Sequence, residues 1–475
     1  MGRKNQNPSR RASTLDQTFM SRPLSAMGKP NSSRRRAPVV AQRSFARTRR
    51  GNCSRGFTPI ITLLLSIPQA ILALFSSYLL LLTGVAWFRK STGRAQTDLP
   101  ARPTTRFLIL VPAHDEERLI GTTMRSLRAL DYPKNMYSVH VVADNCVDAT
   151  AAIARDLGAE VHERTDKLEQ GKGRALMWLL HRLWERGDPH DAVVFVDADT
   201  TVDRRFLRVM DAKMRQGFRA VQGYYAVRDP ATSRAVGLRY AAFALRHYLR
   251  PLGRTALGGS AGLFGNGMVF AADVVRDYQW TNHLTEDAEM HVHLLLDGIV
   301  VGFAPDALVH AEMPSSIARS GSQQDRWERG RIDLARRYIP RLLASAREPT
   351  CRQRLARIDT AVDQALPPLS VLALATVGTG LAAAGLTHRC PSRATRALRS
   401  ISVATALGNV IYVFVGLRLV RAPRSVYRSL LAAPLLAGWK AGRWMRLLLR
   451  PSSVTWTRTQ RNSEHVESVG ALCGR

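Results

Sequence analysis

The chain has 475 residues, 69 Lys and Arg against 37 Asp and Glu, and a formal net charge of +32. That length holds two or three domains, and a hydrophobic fraction of 45% is ample for a large core. The five cysteines (Cys53, Cys146, Cys351, Cys390, Cys473) show no paired or metal-like spacing, which argues against a disulfide framework or a zinc site and fits a reducing compartment. The positive charge suits nucleic acid, anionic lipid or an anionic substrate.

Residues 1–56 carry fourteen Lys and Arg against one acid, Asp16, with many Ser and Pro, and the expectation is a disordered tail. It could touch acidic headgroups or RNA, be a solvated tail without a role, or lie upstream of a later start such as Met20 or Met27. From Phe57 to Trp87 the sequence is almost continuously apolar and uncharged, so residues 57–88 are expected to form a transmembrane helix kinked at Pro68. A cleavable signal is the alternative, disfavoured by the length and position of the run.

Residues 100–345 alternate between strand and helix patterns. Phe107–Val111 reads as a buried strand and Glu117–Leu130 as a helix. Ser138–Ala143 reads as a strand, Ala149–Leu157 as a helix stopped by Gly158, Ala159–His162 as a short strand, and Gly173–Arg186 as a helix. Ala192–Val196 is an apolar run of the kind buried on both faces of a parallel sheet. This alternation predicts an α/β domain with a doubly wound, mostly parallel sheet. Beyond it, residues 366–387 and 400–418 read as two further spans. Residues 425–461 mix Leu and Ala with Trp439, Lys440, Arg443, Trp444 and Arg446, a pattern for an amphipathic segment at the membrane interface or for an ordinary surface helix.

In open α/β sheets ligands bind at the carboxyl ends of the strands. Three strand ends here deliver polar groups: Pro112-Ala113-His114-Asp115-Glu116-Glu117, then Asp144-Asn145, then Asp197-Ala198-Asp199. Glu116 and Asp144 suit ribose hydroxyls or base N–H groups. Asp197 and Asp199 suit a hard divalent cation shared with substrate phosphates, although Asp at a strand end is also ordinary turn chemistry. Gly171-Lys172-Gly173 precedes a helix, where backbone N–H groups and Lys172 could meet a diphosphate; a plain turn is the alternative, since the spacing is not that of a Walker loop. Thr285-Glu286-Asp287 is a good helix start, and Asp287 could also serve as a general base. Gly265-Asn266-Gly267 suits the lining of a sugar pocket. In Gln323-Gln324-Asp325-Arg326-Trp327, the Trp could stack on a sugar and the Arg pair with phosphate.

In this order the motifs resemble family 2 glycosyltransferases, and more narrowly the membrane-embedded branch with cellulose, hyaluronan and chitin-oligosaccharide synthases. Trp456-Thr457-Arg458-Thr459 also looks like that branch. The resemblance implies a GT-A type nucleotide-sugar-binding domain flanked by transmembrane helices. It further implies Glu116, Asp144, Lys172 and Asp197 on the nucleotide diphosphate (UDP), and Asp199 on Mg²⁺ or Mn²⁺. Asp287 would be the base of an inverting displacement, Gln323, Arg326 and Trp327 would hold the acceptor and diphosphate, and Glu286, Gly265 and Asn266 would support them. The expected function is transfer from a UDP-sugar to a growing or lipid-linked saccharide in polysaccharide biosynthesis.

Processive members of that branch carry more spans than the three read here, so a self-made polymer channel would require a homo-oligomer. The alternatives are a polyprenyl-phosphate sugar transferase and, from another class, a basic membrane-tethered protein binding nucleic acid or lipid. The soluble stretch has no aromatic–basic interleaving or nucleic-acid module, so a nucleic-acid partner is not expected. The expected location is the cell (inner or plasma) membrane, multi-pass. Both flanks of the first span are basic, so the positive-inside rule does not choose an orientation. Cytoplasmic supply of nucleotide sugars places the catalytic domain inside and the Arg-rich N-terminus outside.

Overall fold

The computed structural model describes residues 57–187, 190–276, 278, 280, 285–314, 321–347 and 350–449. The Arg-rich tail and the Trp456–Thr459 motif lie outside the described residues. The chain enters through α1 (Phe57–Ser91), which carries Pro68 inside it. The α/β unit then runs β1 (Phe107–Ala113), α2 (Ile120–Arg128), β2 (Tyr137–Asp144), α3 (Thr150–Asp156), β3 (Glu160–Arg164), α4 (Lys172–Glu185) and β4 (Ala192–Phe195). It continues with β5 (Thr200–Val202), α5 (Phe206–Arg215), β6 (Ala220–Val227), α6 (Arg234–Phe243), a π-helical turn (Ala244–Leu249), α7 (Arg250–Ala256), β7 (Met268–Ala271), α8 (Ala272–Arg276), α9 (Glu286–Leu296) and β8 (Gly302–Ala311).

These strands form one eight-stranded sheet in the order β3-β2-β1-β4-β7-β6-β8-β5. The first four are parallel neighbours. Beyond β4 the sheet is mixed: β7 is antiparallel to both β4 and β6, β5 is antiparallel to β8, and only β6 and β8 run parallel. The expectation of a mostly parallel sheet is therefore corrected to a mixed one. Two apolar layers sandwich it: Leu108, Leu110, Val193 and Phe195 pack against α4 on one face, while Ile109, Val111 and Val194 pack with Ile120, Met124 and Phe206 on the other. Burying alternate residues of each strand on both faces is what made these runs continuously apolar.

After the sheet come α10 (Gly321–Ser345), α11 (Cys351–Ala365), α12 (Leu369–Arg389), α13 (Arg393–Leu419), α14 (Arg424–Ser429) and α15 (Ala433–Leu449). Helices α1, α12 and α13 are each long and apolar enough to cross a membrane. Polar side chains join them: Gln69 to Thr405 at 3.1 Å, Ser76 to Asn409 at 2.9 Å and Thr379 to Gln69 at 2.8 Å. The α1 and α13 partners advance together along the chain, so these two helices run parallel and α12 returns between their ends. Such hydrogen bonds act as glue where lipid offers no hydrophobic drive for helix association. Gly253 of α7 lets the backbone at Leu82 approach, since a Cβ there would stand 2.6 Å from the Leu82 carbonyl oxygen. The domain thus sits directly against the helix bundle.

One expectation needs correcting here. Cys390, at the end of α12, is disulfide-bonded, against the expectation of cysteines without a disulfide. In α15, Lys440 pairs with Glu328 at 3.2 Å and Arg443 with Asp325, both on α10. These two charges tie α15 to α10.

Candidate active site

Because β1 pairs in parallel with both β2 and β4, the carboxyl ends of these strands lie side by side. The backbone turns sharply after two of them, with Asp115 at φ 51° and Asn145 at φ 55°, a left-handed conformation that Asp and Asn tolerate through local hydrogen bonds. His114 Nδ1 lies 2.7 Å from the Asp144 carbonyl oxygen, and the Glu116 N–H donates to Thr150 Oγ1 at 2.7 Å. Asp144 Oδ1 accepts from Arg164 Nη1 at 2.7 Å and from Asn145 at 3.1 Å. The expected free acceptor is thus one half of a buried ion pair. Arg164, the last residue of β3, was missed in the sequence, although the strand-end rule applied to the third strand would have found it.

The carboxylates after β4 open onto a cavity of about 1080 Å³ lined by Lys172, Asp197, Asp199, Gly265, Glu286, Asp287, Arg326 and Trp327. It therefore gathers seven of the residues read as functional from sequence, together with Gly265. Glu116 and Asp144 stand at the neighbouring strand ends and do not line it. Gln323 belongs to α10, but its side chain lies outside the described residues.

Gly171 ends the loop before α4 at φ 126°, a backbone state open to glycine and little else. The turn aims Lys172 across the cavity, where Nζ donates to Asp197 Oδ1 at 2.5 Å and to the Gly265 carbonyl at 2.6 Å. Burial pulls the Lys172 ammonium down, and the charges of Asp197, Glu286 and Asp287 together with the Asp197 hydrogen bond more than reverse this, so the side chain stays protonated. Gly265, at φ 75°, lies so close to Asp287 that a Cβ would stand 3.2 Å from Oδ2. Asn266 is fully buried. Its Oδ1 accepts from the Asp197 N–H at 3.2 Å, and its Nδ2 donates to Thr200 Oγ1 at 2.7 Å, so it clamps both ends of the Asp-x-Asp turn. Gln222 of β6, which carries no sequence signal, holds Asn266 in turn through its carbonyl at 2.9 Å.

Asp287 stands in the first turn of α9 beside Glu286. Burial, then the Glu286 charge, pushes its carboxyl up to about 7, against the Ala288 N–H bond and the charges of Lys172 and Arg246. A carboxylate poised there can take a proton near neutral pH. Aromatic rings line the same cavity: Tyr225, His247 and Phe264 stack in that order, His247 and Phe264 with centroids 4.2 Å apart, Phe243 meets Tyr225 and His247 edge-on, and Trp327 lies 6.5 Å from Phe243.

Asp197 and Asp199 present hard oxygen donors toward one cavity, and the Asp199 charge acts on Asp197. Two carboxylates beside open space for phosphates fit a divalent cation such as Mg²⁺ or Mn²⁺.

From this floor the cavity continues to Leu369, Ala373, Leu374 and Val377 of α12, Val410, Val413 and Phe414 of α13, and Leu436 of α15. A single space therefore joins the polar strand ends to the apolar helices.

The mixed sheet with clustered carboxylates at its strand ends suits group transfer from a phosphorylated donor. Residues 103–330 match the model of the family described as "Glycosyltransferase like family 2". It is similar to a β-monoglucosyldiacylglycerol synthase from Synechocystis, 28% identical over 241 residues, covering 49% of each chain. It is also similar to the probable glycosyltransferase YdaM of Bacillus subtilis, 24% identical over 49% of this chain and 56% of that one. The chain thus spans about half the length of the curated relatives it matches. Among solved structures, the mannosyltransferase PcManGT from Pyrobaculum calidifontis, in complex with GDP-Man and Mn²⁺, aligns with a TM-score of 0.44 at 16% identity, over 78% of this chain and 99% of that one. The domain and its named relatives support a transferase enzyme.

Proposed function

We propose that the protein is an inverting glycosyltransferase that moves a sugar from a UDP-sugar to the hydroxyl of a membrane lipid. The observation that carries this is the single cavity running from Asp287 to the apolar faces of α12 and α13. An acceptor with acyl tails can lie between those helices and hold its polar end at the carboxylates. The similarity to diacylglycerol glucosyltransferases supports the same choice over a growing polysaccharide.

In this reading Asp144 and Glu116 receive the nucleoside, and Lys172 neutralises the diphosphate. Asp197 and Asp199 would hold a divalent cation, which supplies positive charge to the leaving diphosphate. Asp287 takes the proton from the lipid hydroxyl as its oxygen forms a bond to the anomeric carbon. The bond from that carbon to the diphosphate breaks on the opposite side, and UDP leaves. Attack opposite the leaving group inverts the anomeric configuration. Asn266 and Gly265 keep Lys172, Asp197 and Asp287 in register, so the charges that stabilise the departing group are preorganised.

The helices α1, α12 and α13 span the membrane in this reading, with the domain on the cytoplasmic side where nucleotide sugars are made. A protease added to intact cells should leave residues 100–340 uncut; cleavage there would reverse the orientation. The deciding experiment supplies the full-length protein in membranes with a panel of radiolabelled UDP-sugars, with and without Mg²⁺ or Mn²⁺. Label in a solvent-extractable lipid, lost in Asp287→Asn, is expected. Label only in a high-mass water-soluble polymer would overturn the lipid acceptor.

A further inference from the structure

Several cations line the cavity, and four have a carboxylate partner: Lys172 has Asp197, Arg331 and Lys440 share Glu328, and Arg250 has Asp363 at 3.2 Å. Arg326, on the donor side beside Glu286, has none among the described residues, and on the other side neither do Arg239 of α6 and Arg246 of the π-helical turn. Among the described residues neither has a carboxylate at ion-pair distance, and the one polar contact of Arg239 is the Met313 sulfur at 3.8 Å. Burial pulls the Arg239 guanidinium down to about 10, and burial with the neighbouring charges of Arg331 and Arg250 pulls Arg246 down to about 9, against Asp363 and Glu328. Uncompensated buried charge is expensive and is kept where a ligand supplies the partner.

Their place along the cavity is informative. On one side Arg246 acts on Asp287. On the other it feels Arg331 and Glu328, and Arg331 bonds the Leu366 carbonyl at 3.1 Å, just ahead of α12. Arg246 therefore stands between the base and the segment leading into α12, and Arg239 lines the same cavity. A neutral diacylglycerol has its hydroxyl directly above the tails and nothing for these arginines to hold. A polyprenyl phosphate would place its phosphate at the arginines, but a phosphate oxygen is already ionised at neutral pH and needs no base. A phospholipid with a hydroxylated headgroup has tails, then phosphate, then hydroxyl, in the order of the cavity wall.

Resting on the lipid-acceptor reading above, we propose that the acceptor is an anionic phospholipid whose headgroup ends in a hydroxyl, its phosphate bound by Arg239 and Arg246 and its hydroxyl presented to Asp287. The step is the one already written, with the headgroup oxygen bonding to the anomeric carbon, its proton passing to Asp287 and UDP departing. The phosphate diester is untouched.

The test uses the full-length protein in mixed micelles with a radiolabelled UDP-sugar and three acceptors side by side: dioleoylphosphatidylglycerol, dioleoylglycerol and undecaprenyl phosphate. Charge-assisted hydrogen bonds predict a kcat/KM for phosphatidylglycerol about tenfold or more above that for dioleoylglycerol. Arg239→Gln with Arg246→Gln should collapse that ratio, and Arg246→Lys should restore part of it. Dioleoylglycerol as the equal or better acceptor, with a ratio that the variants do not move, would overturn the phosphate site and leave lipid glycosylation standing. Label on undecaprenyl phosphate alone would also overturn it. Label on no lipid at all, with a water-soluble glycan formed, would remove the lipid-acceptor reading itself. Should the double variant fail to fold, the wild-type preference among the three acceptors still decides.

Discussion

The two halves of the cavity are built on opposite electrostatic plans. On the donor side charges are paired within the fold, Asp144 with Arg164 and Lys172 with Asp197, while the neutral Asn266 clamps the Asp-x-Asp turn. On the acceptor side Arg239 and Arg246 are left without a carboxylate at ion-pair distance, and beyond the Glu328 pairs the wall along α12 and α13 is mostly hydrocarbon. A site for a highly charged donor must be rigid before the donor arrives, because preorganised dipoles do not have to reorient during the reaction. A site for an amphiphile can leave part of its charge for the ligand to complete.

Replacing the base is expected to break this arrangement most severely. Asp287→Asn should lower kcat by about 10³-fold while UDP affinity, read by calorimetry, stays close to wild type. The wild-type rate should rise with pH through a midpoint near the Asp287 value of about 7, because only the ionised carboxylate accepts a proton. Stability should move the other way. A raised carboxyl pKa favours the folded state below about pH 4, where the free side chain is still protonated, and that advantage is lost as pH climbs through about 7. Asp287→Asn should therefore melt higher than wild type above neutral pH.

The scaffold beneath the acceptor side comes next. Arg254 is 3% exposed and bonds Asp359 at 2.7 Å, and Tyr78 of α1 donates to the same carboxylate at 2.8 Å. Asp359→Ala leaves that guanidinium with Asp363 at 3.5 Å and Thr360 at 2.8 Å as its remaining partners, and the expected loss is about 3 kcal/mol in thermal unfolding. A smaller effect is expected on the donor side. Arg164→Gln keeps a donor beside Asp144 but removes its charge, and should raise the KM for the UDP-sugar about tenfold with less change in kcat. Leu374→Trp, in the apolar wall, should depress lipid turnover several-fold and spare UDP affinity; equal loss of both would mean that the two halves are not separable. Smallest of all, Glu163→Gln breaks only the exposed pair with Arg155 and should change stability by less than about 0.5 kcal/mol.

The parallel half of the sheet was readable because each of its strands is an apolar run ending in a polar cluster, as in Ala192–Phe195 ahead of Asp197 and Asp199. The mixed half was not. Met268–Ala271 is four residues between the Gly265-Asn266-Gly267 turn and α8, and its antiparallel direction is set by its pairing with β4 and β6. Arg246 was equally hidden. It sits in a Leu-Arg-His-Tyr stretch that looks like any surface helix, and the π turn that seats it is a backbone event without a residue signature.

By itself the sequence determined the carboxylates, their order and the three apolar runs, because strand ends and membrane-length helices follow from local hydrophobic pattern. Only the tertiary structure decided which charges are matched and how far the cavity reaches. Asp144 meets an arginine 20 residues away, Tyr78 meets Asp359 across 281, and Gln69 meets Thr405 across 336. Pairing over such separations depends on how layers and helices pack against one another, and local pattern says nothing about which polar groups packing will leave alone.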